Sequence, residues 1–349
     1  MINVCIIDDS ALVRRVVSEI IEGTSNMILT VKSSNPLLAI KKLRTERVDV
    51  IILDIEMPGM DGLTFLKKIR NVKPISVIVL SSLIDKNAEI TLRAYKYGAF
   101  EVLKKPENTS DLVFLKECLI KTIQRAAVRN VQDSMLSRNV LLKANYHIPD
   151  NKKHNEPQKI IVIGSSTGGI GPLYDVLSKL PINTPGIIVV QHLPVHFSQG
   201  FAERLDSYLS LAVKLAENGE PVQKGTVYIA PGEYHCSIAV SNARYIIKLR
   251  DGPRINYHKP SVTALFNSIA NYVKTNAIGI MLSGMGEDGA KAMRLMKDAG
   301  SYNIIQNEHT SVVWGMPGKV KEYGGESIIL PSDKIAKEIC RVLSIPNYV

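Results

Sequence analysis

Twice along this chain, short apolar runs of strand length alternate with stretches whose apolar residues recur at helical spacing. This rhythm constrains the fold more than any other feature, because consecutive parallel strands need a crossover between them and a helix is the usual one. In the first pass, residues 2–7, 28–33, 50–54, 75–80 and 101–103 read as strands, and 11–22, 36–45, 62–69, 87–97 and 111–125 as helices. The second pass starts at Lys159, with strands at 160–163, 186–190, 277–282 and 303–305. Helices are expected after the glycine-rich turn 164–169, at 261–273, up to 299 and at 333–343. Shorter, partly antiparallel pieces are expected at 227–230, 237–240 and 245–249.

Residues 126–157 break the rhythm, and from Asn145 to Pro157 the chain is polar, with two prolines and few apolar residues. The expected organisation is a domain over 1–125, a linker over 126–157, part of which can extend the preceding helix, and a domain over 158–349. A chain of 349 residues is more than one core usually serves. Both domains read as α/β: the first a five-stranded, flavodoxin-like (βα)5 sheet, the second doubly wound and mostly parallel.

The net charge of +10 raises the question of nucleic acid. Its distribution answers against it: Lys+Arg against Asp+Glu is 19 to 15 over residues 1–125, 5 to 3 over 126–157 and 19 to 15 over 158–349. An evenly basic surface with no basic helix and no aromatic-interleaved stripe predicts no nucleic-acid partner. No apolar run reaches the length of a membrane span, so no membrane insertion is expected. The opening residues meet Asp8 and Asp9 too early for a secretory signal, which predicts a cytoplasmic protein. The cysteines Cys5, Cys118, Cys236 and Cys340 have neither metal-ligand nor redox spacing, and read as buried reduced thiols.

Chemistry collects at the expected strand ends. Asp8 and Asp9 follow the first strand, Asp54 ends the third, Ser81 follows the fourth and Lys105 the fifth. In a flavodoxin-like order these converge on one edge of the sheet. Three carboxylates in one place repel one another unless a cation intervenes, and an oxygen-ligand site with open positions suits Mg²⁺. The cluster reads as a metal-assisted phosphoryl-transfer site, with Asp8, Asp9 and Asp54 as metal ligands, Asp54 as the phosphoryl acceptor, and Lys105 and Ser81 on the phosphate.

The second domain offers Gly164-Ser165-Ser166-Thr167-Gly168-Gly169 between a strand and a helix. Such a turn can cradle a phosphate or present a nucleophilic serine. His192 directly follows the next strand, and Asp288 lies in the glycine-rich loop after strand 277–282. A Ser, a His and an Asp at three strand ends can form a triad whatever their chain order. The plainer alternative is that His192 fills a loop and Asp288 caps a helix. His192 and His196 are four apart, but Pro194 breaks the helix that a metal pair there would need. Cys236 beside His235 is a weaker candidate nucleophile.

Residues 1–125 resemble a response-regulator receiver domain, through Asp8-Asp9-Ser10, the string Leu53-Asp54-Ile55-Glu56-Met57-Pro58-Gly59-Met60-Asp61-Gly62, Leu80-Ser81-Ser82 and Lys104-Lys105-Pro106. One departure is Val102, three positions before Lys105, where many receivers carry an aromatic switch residue. Residues 158–349 resemble the catalytic domain of the chemotaxis protein-glutamate methylesterases, the CheB family. The matching strings are Gly164–Gly169, Val190-Gln191-His192-Leu193-Pro194, Ala230-Pro231-Gly232, Lys259-Pro260-Ser261-Val262, Leu282–Gly289 and Gly315-Met316-Pro317.

The resemblance implies a phosphorylation-activated hydrolase that cleaves glutamyl methyl esters, and also deamidates glutamines, on the cytoplasmic domains of methylated chemoreceptors. A chemotaxis histidine kinase is the implied phosphoryl donor. Ser166 is the implied nucleophile, His192 the base, Asp288 the third triad member and the Met285 backbone part of the oxyanion hole. The family usually has alanine where Ser165 stands, and alignment on Thr167-Gly168-Gly169 favours Ser166. Mg²⁺ is expected in the receiver and no cofactor in the catalytic domain. A response regulator whose second domain binds a ligand or nucleic acid without catalysis is the alternative from another functional class.

Overall fold

A computed structural model of the chain describes residues 1–72, 75–82, 90, 93–94, 97–106, 109–136, 159–193 and 195–345. The expected helix at 87–97 lies largely outside them. The chain divides into two compact units, Met1–Leu141 and Leu142–Val349.

The first unit holds β1 (Ile2–Ile7), α1 (Ala11–Glu22), β2 (Met27–Ser33), α2 (Pro36–Leu43), β3 (Val50–Asp54), α3 (Gly62–Val72), β4 (Ser76–Ser81), β5 (Glu101–Lys104) and α4 (Thr109–Leu136). Its strands pair in the order β2-β1-β3-β4-β5, all in parallel. β3 is buried along its whole length, so its apolar run ends on a buried Asp54. α1 starts where the Ser10 hydroxyl accepts from Val13 N, and it turns Val17, Ile20 and Ile21 inward at helical spacing. α4 continues past the expected boundary at residue 125. The reason is local: Ile123 and Ala126 are buried, and Ser76 Oγ donates to the Ala126 carbonyl, so the helix stays tied to the sheet. A change in composition marks a linker only after the helix has stopped packing.

The second unit holds β6 (Ile160–Ser165), α5 (Ile170–Leu177), β7 (Ile187–Gln191), α6 (Ser198–Tyr208), β8 (Ala212–Leu215), β9 (Thr226–Ile229), β10 (His235–Ser241), β11 (Arg244–Arg250), α7 (Val262–Tyr272), β12 (Ala277–Met281), α8 (Ala290–Asp298), β13 (Tyr302–Gln306), α9 (Gly315–Glu322), β14 (Ile328–Leu330) and α10 (Ser332–Val342). Seven strands form a parallel sheet in the order β14-β13-β12-β6-β7-β9-β8. β10 and β11 form a separate antiparallel hairpin. Alternation along β6 sends Ile160 and Val162 into one core with Phe266, Met293 and Met316, and Ile161 and Ile163 into another with Leu173, Leu205 and Ile339. α7, α8 and α9 therefore cover one face, and α5, α6 and α10 the other. Each fully buried leucine or isoleucine is worth about 1.5–3 kcal/mol.

The order reverses at β6: later strands run outward on one side through β7 and on the other through β12. Ligand chemistry in such sheets sits beyond the carboxyl ends at this switch point. β8, β14, α6 and α9 were not expected from sequence. β8 and β14 are short edge strands, too brief to show a period, and the two helices carry interspersed glycines and charges that blur theirs.

Candidate functional sites

In the first unit, β1 and β3 bring Asp8, Asp9 and Asp54 together, with one carboxylate oxygen from each within 4.8 Å of the others. Asp8 and Asp54 are buried and Asp9 is exposed. The Asp8 carboxylate accepts from Ser10 N at 2.8 Å, and Arg14 Nη1 donates to the Asp8 and Asp9 carbonyls at 2.8 Å each, which fixes the loop. Lys105 Nζ, delivered by the β5 loop, lies 2.7 Å from Asp54 and 2.9 Å from Asp8. Ser81 is buried at the end of β4.

Burial pushes the Asp54 carboxyl up to about 6, against the pull of Lys105. Burial also acts to lower the Lys105 ammonium, but Asp54 and Asp8 outweigh it and hold it above its usual range. Two buried acids and one exposed acid facing a single ammonium leave unbalanced negative charge. An all-oxygen donor set with a solvent-facing member fits Mg²⁺. Val102 is half-buried on β5 beside Val79, so no ring rotation can occur there.

In the second unit, register sets the site. Ser165 pairs with Gln191 across β6 and β7, so Ser166 and His192 leave adjacent strand ends together. His192 N donates to the Ser165 carbonyl at 2.9 Å, and Gln191 Nε2 donates to the Ser166 carbonyl at 3.0 Å. On the other side, Ser166 N donates to the Ser283 carbonyl at 3.0 Å, joining the Ser166 turn to the loop after β12. Gly284 is needed there. A Cβ on it would lie 2.9 Å from Ser166 Cβ and 2.2 Å from Met316 Sδ, so only glycine lets the loop come this close. Met285 follows it, with its side chain exposed.

His192 Nε2 lies 2.9 Å from Asp288 Oδ2. Asp288 is buried and accepts further from Asn256 Nδ2, Ser261 Oγ, Val262 N, and Thr263 N and Oγ1, at 2.7–3.2 Å. Burial would raise its carboxyl, but hydrogen bonds from His192, Thr263 and Ser261 outweigh this and hold it far below the usual range. An ionised carboxylate only accepts, so Nε2 carries the ring proton of a neutral His192 and Nδ1 the lone pair. Among the described residues, that buried Nδ1 has no hydrogen-bond partner.

The two serines differ in setting. Ser165 is fully buried, and its Oγ fills the space where a Cβ on Gly169 would stand, 1.9 Å away. Cys236 is fully buried, with its thiol pushed up to about 12 by burial, which removes it as a nucleophile. His235 Nε2 donates to the Pro253 carbonyl and its Nδ1 accepts from Ser261 N, a bracing role.

Sequence reasoning missed several residues. Asn256, Ser261 and Thr263 serve Asp288, and Ser283 Oγ donates to the Thr167 and Val313 carbonyls while accepting from Val313 N. His258 was missed as well. Its ring stacks on that of His192 with centroids 3.7 Å apart and planes 8° off parallel. Only the Ser261–Thr263 group had a legible signal, a Ser at the start of a helical pattern.

A buried acid cluster on one parallel sheet and a Ser, His and Asp at the switch point of another define a response regulator with a hydrolase-like output domain. Two family models match accordingly: the response regulator receiver domain over residues 4–115 and the CheB methylesterase over 161–339. The chain is 38% identical, over 98% of its length and 99% of the relative's, to "Protein-glutamate methylesterase/protein-glutamine glutaminase 3" of Geobacter metallireducens. It is 39% identical, over 98% of its length and 97% of the relative's, to the protein-glutamate methylesterase/protein-glutamine glutaminase of Salmonella typhimurium. The solved Thermotoga maritima CheB methylesterase catalytic domain matches 53% of the chain and 98% of its own length, at 40% identity and a TM-score of 0.52. The chain belongs to the CheB family of protein-glutamate methylesterases/protein-glutamine glutaminases, with an N-terminal receiver domain.

Proposed function

We propose that this chain hydrolyses methyl esters of glutamate side chains on the cytoplasmic domains of chemoreceptors and deamidates receptor glutamines, under control of phosphorylation at Asp54. The observation that carries the hydrolytic reading is the His192–Asp288 pair at 2.9 Å, which leaves Nδ1 without a partner among the described residues on a histidine whose backbone is bonded to the Ser165 carbonyl, next to Ser166.

Ser166 Oγ attacks the ester carbonyl carbon while its proton passes to His192 Nδ1. Negative charge develops on the former carbonyl oxygen, where the Met285 N–H donates to it. Collapse returns the proton from Nδ1 to the methoxy oxygen, methanol leaves and a Ser166 acyl-enzyme remains. Water, deprotonated by the same nitrogen, releases the glutamate. With a glutamine substrate the leaving group is ammonia. Asp288 stays ionised throughout and holds the imidazole by Nε2.

In the receiver, Asp8, Asp9 and Asp54 would hold Mg²⁺, which when bound neutralises charge on the phosphoryl group. Asp54 accepts that group from a chemotaxis histidine kinase, with Lys105 and Ser81 on its oxygens. A cytoplasmic location goes with this reading, since its substrate is the receptors' cytoplasmic domains; among the described residues no helix is long and apolar enough to cross a membrane. The reading is tested by methanol release from methylated receptor membranes. Wild type should release methanol and His192→Ala should not, and equal release by both would overturn it.

A further inference from the structure

Nothing in the triad chemistry explains why a second imidazole lies flat against the first. His258 comes from the turn Ile255–His258, which is closed by Ile255 N donating to the His258 carbonyl at 3.0 Å and His258 N to the Ile255 carbonyl at 2.9 Å. Its two central residues, Asn256 and Tyr257, have φ of 48° and 67°. Asparagine tolerates that region, but a tyrosine there is strained and persists only when the surroundings impose it. The strained turn faces the triad with both flanking side chains. Asn256 Nδ2 donates to Asp288 Oδ1 at 3.0 Å, and the His258 ring covers His192 at a centroid distance of 3.7 Å. Tyr257 stands between them at 89% exposure, so apolar burial is not what holds the strained residue in place.

We propose that His258 is a positioning residue for the hydrolysis, a flat plate that keeps the His192 ring in the rotation that joins Nε2 to Asp288 and leaves Nδ1 to take the serine proton. The proposal rests on the reading of His192 as the base. The need for a plate follows from the geometry. Besides its covalent Cβ–Cγ bond the ring is tethered by one hydrogen bond, at Nε2, and rotation about Cβ–Cγ would change the direction of Nδ1. A parallel face at stacking distance blocks this rotation.

The plate must also tolerate an imidazolium when the serine proton arrives. Burial, with the positive charge of His192 as the next cause, brings the His258 imidazole down to about 4, against the opposing pull of Asp288. His258 is thus neutral at neutral pH and meets a charged His192 without a second full charge.

The test uses the full-length chain with methylated receptor membranes. His258→Ala should lower kcat by about tenfold to a hundredfold while leaving KM within about twofold, since ring placement affects only the reacting geometry. His258→Phe keeps a flat ring without ring nitrogens, and should hold kcat within about threefold of wild type. Nitrogen-15 spectra of the histidine rings should show one tautomer for His192 in wild type and His258→Phe, and a mixture in His258→Ala. Wild-type kcat in His258→Ala would overturn the proposal, as would a folded His258→Phe as slow as the alanine variant, or an effect confined to KM. If the alanine variant fails to fold, His258→Leu, apolar but without a flat face, takes its place with the same expected loss of kcat, and wild-type kcat in a folded His258→Leu would overturn the proposal. Retained activity in His192→Ala would instead remove the assignment of the base.

Discussion

Ser165 and Ser166 are neighbours with opposite fates. Ser165 Oγ is sealed between β6 and Gly169, with no route to a substrate, whereas Ser166 sits at the turn where its backbone is held by Gln191 and Ser283. Ser166→Ala should therefore lower methanol release by on the order of 10⁴-fold. Ser165→Ala should cost less than about tenfold, because it removes a hydroxyl that makes no hydrogen bond among the described residues and leaves only a small void. Loss confined to Ser165→Ala would reverse the choice. Asp54 gives a prediction of another kind. Its folded-state affinity for the proton is raised, from 3.8 to about 6, so its ionisation costs stability as pH rises through that window. Without divalent cations, Asp54→Asn should stabilise the receiver by on the order of 2–3 kcal/mol above pH 6, an advantage that fades below pH 4. Mg²⁺ should raise the melting temperature of wild type and have much less effect on Asp54→Asn. Thermal melts with and without Mg²⁺ check both statements.

At the scale of elements, Asp288 does two jobs. It orients His192, and it accepts from the first backbone N–H groups of α7 and from the side chains of Ser261 and Thr263. Helix N-termini welcome an anion, so the charge that holds His192 also fastens the helix. Its folded-state carboxyl is held well below the 3.8 of the unfolded chain. The stabilisation is therefore present in full above pH 4 and is lost as pH falls below it. Asp288→Asn should destabilise the second unit at pH 7 by about 3 kcal/mol, with the difference from wild type shrinking below pH 4. Urea unfolding at several pH values measures this. An unchanged difference between pH 7 and pH 3 would mean that the carboxylate charge does not hold the cap.

At the scale of the whole molecule, two units with separate cores carry two sites, each at the carboxyl ends of its own sheet. On the proposed function, phosphorylation at Asp54 acts on a reaction carried out by residues of the other unit. Acetyl phosphate with Mg²⁺ should raise the methanol-release rate of wild type and leave Asp54→Asn unchanged. With Val102 on β5, the signal has to travel by something other than an aromatic ring at that position.

The βα rhythm was legible because side-chain period reports local geometry, and the functional residue types were legible because they stand directly after apolar runs. Asp8, Asp54, Lys105 and His192 were singled out from where strands stop, whereas Asp288, in the loop after strand 277–282, and the choice of Ser166 over Ser165 took their roles from the family resemblance. What the sequence could not decide is which nitrogen of His192 meets Asp288, because that depends on a side-chain rotation set by contacts between segments 96 residues apart. Nor could it show the His258 stack, the Asn256, Ser261 and Thr263 bonds to Asp288, or the packing of the Ser165 hydroxyl against Gly169. Those depend on the strand order β12-β6-β7, which brings three distant loops within hydrogen-bond reach, and strand order is fixed by long-range packing that no local pattern encodes.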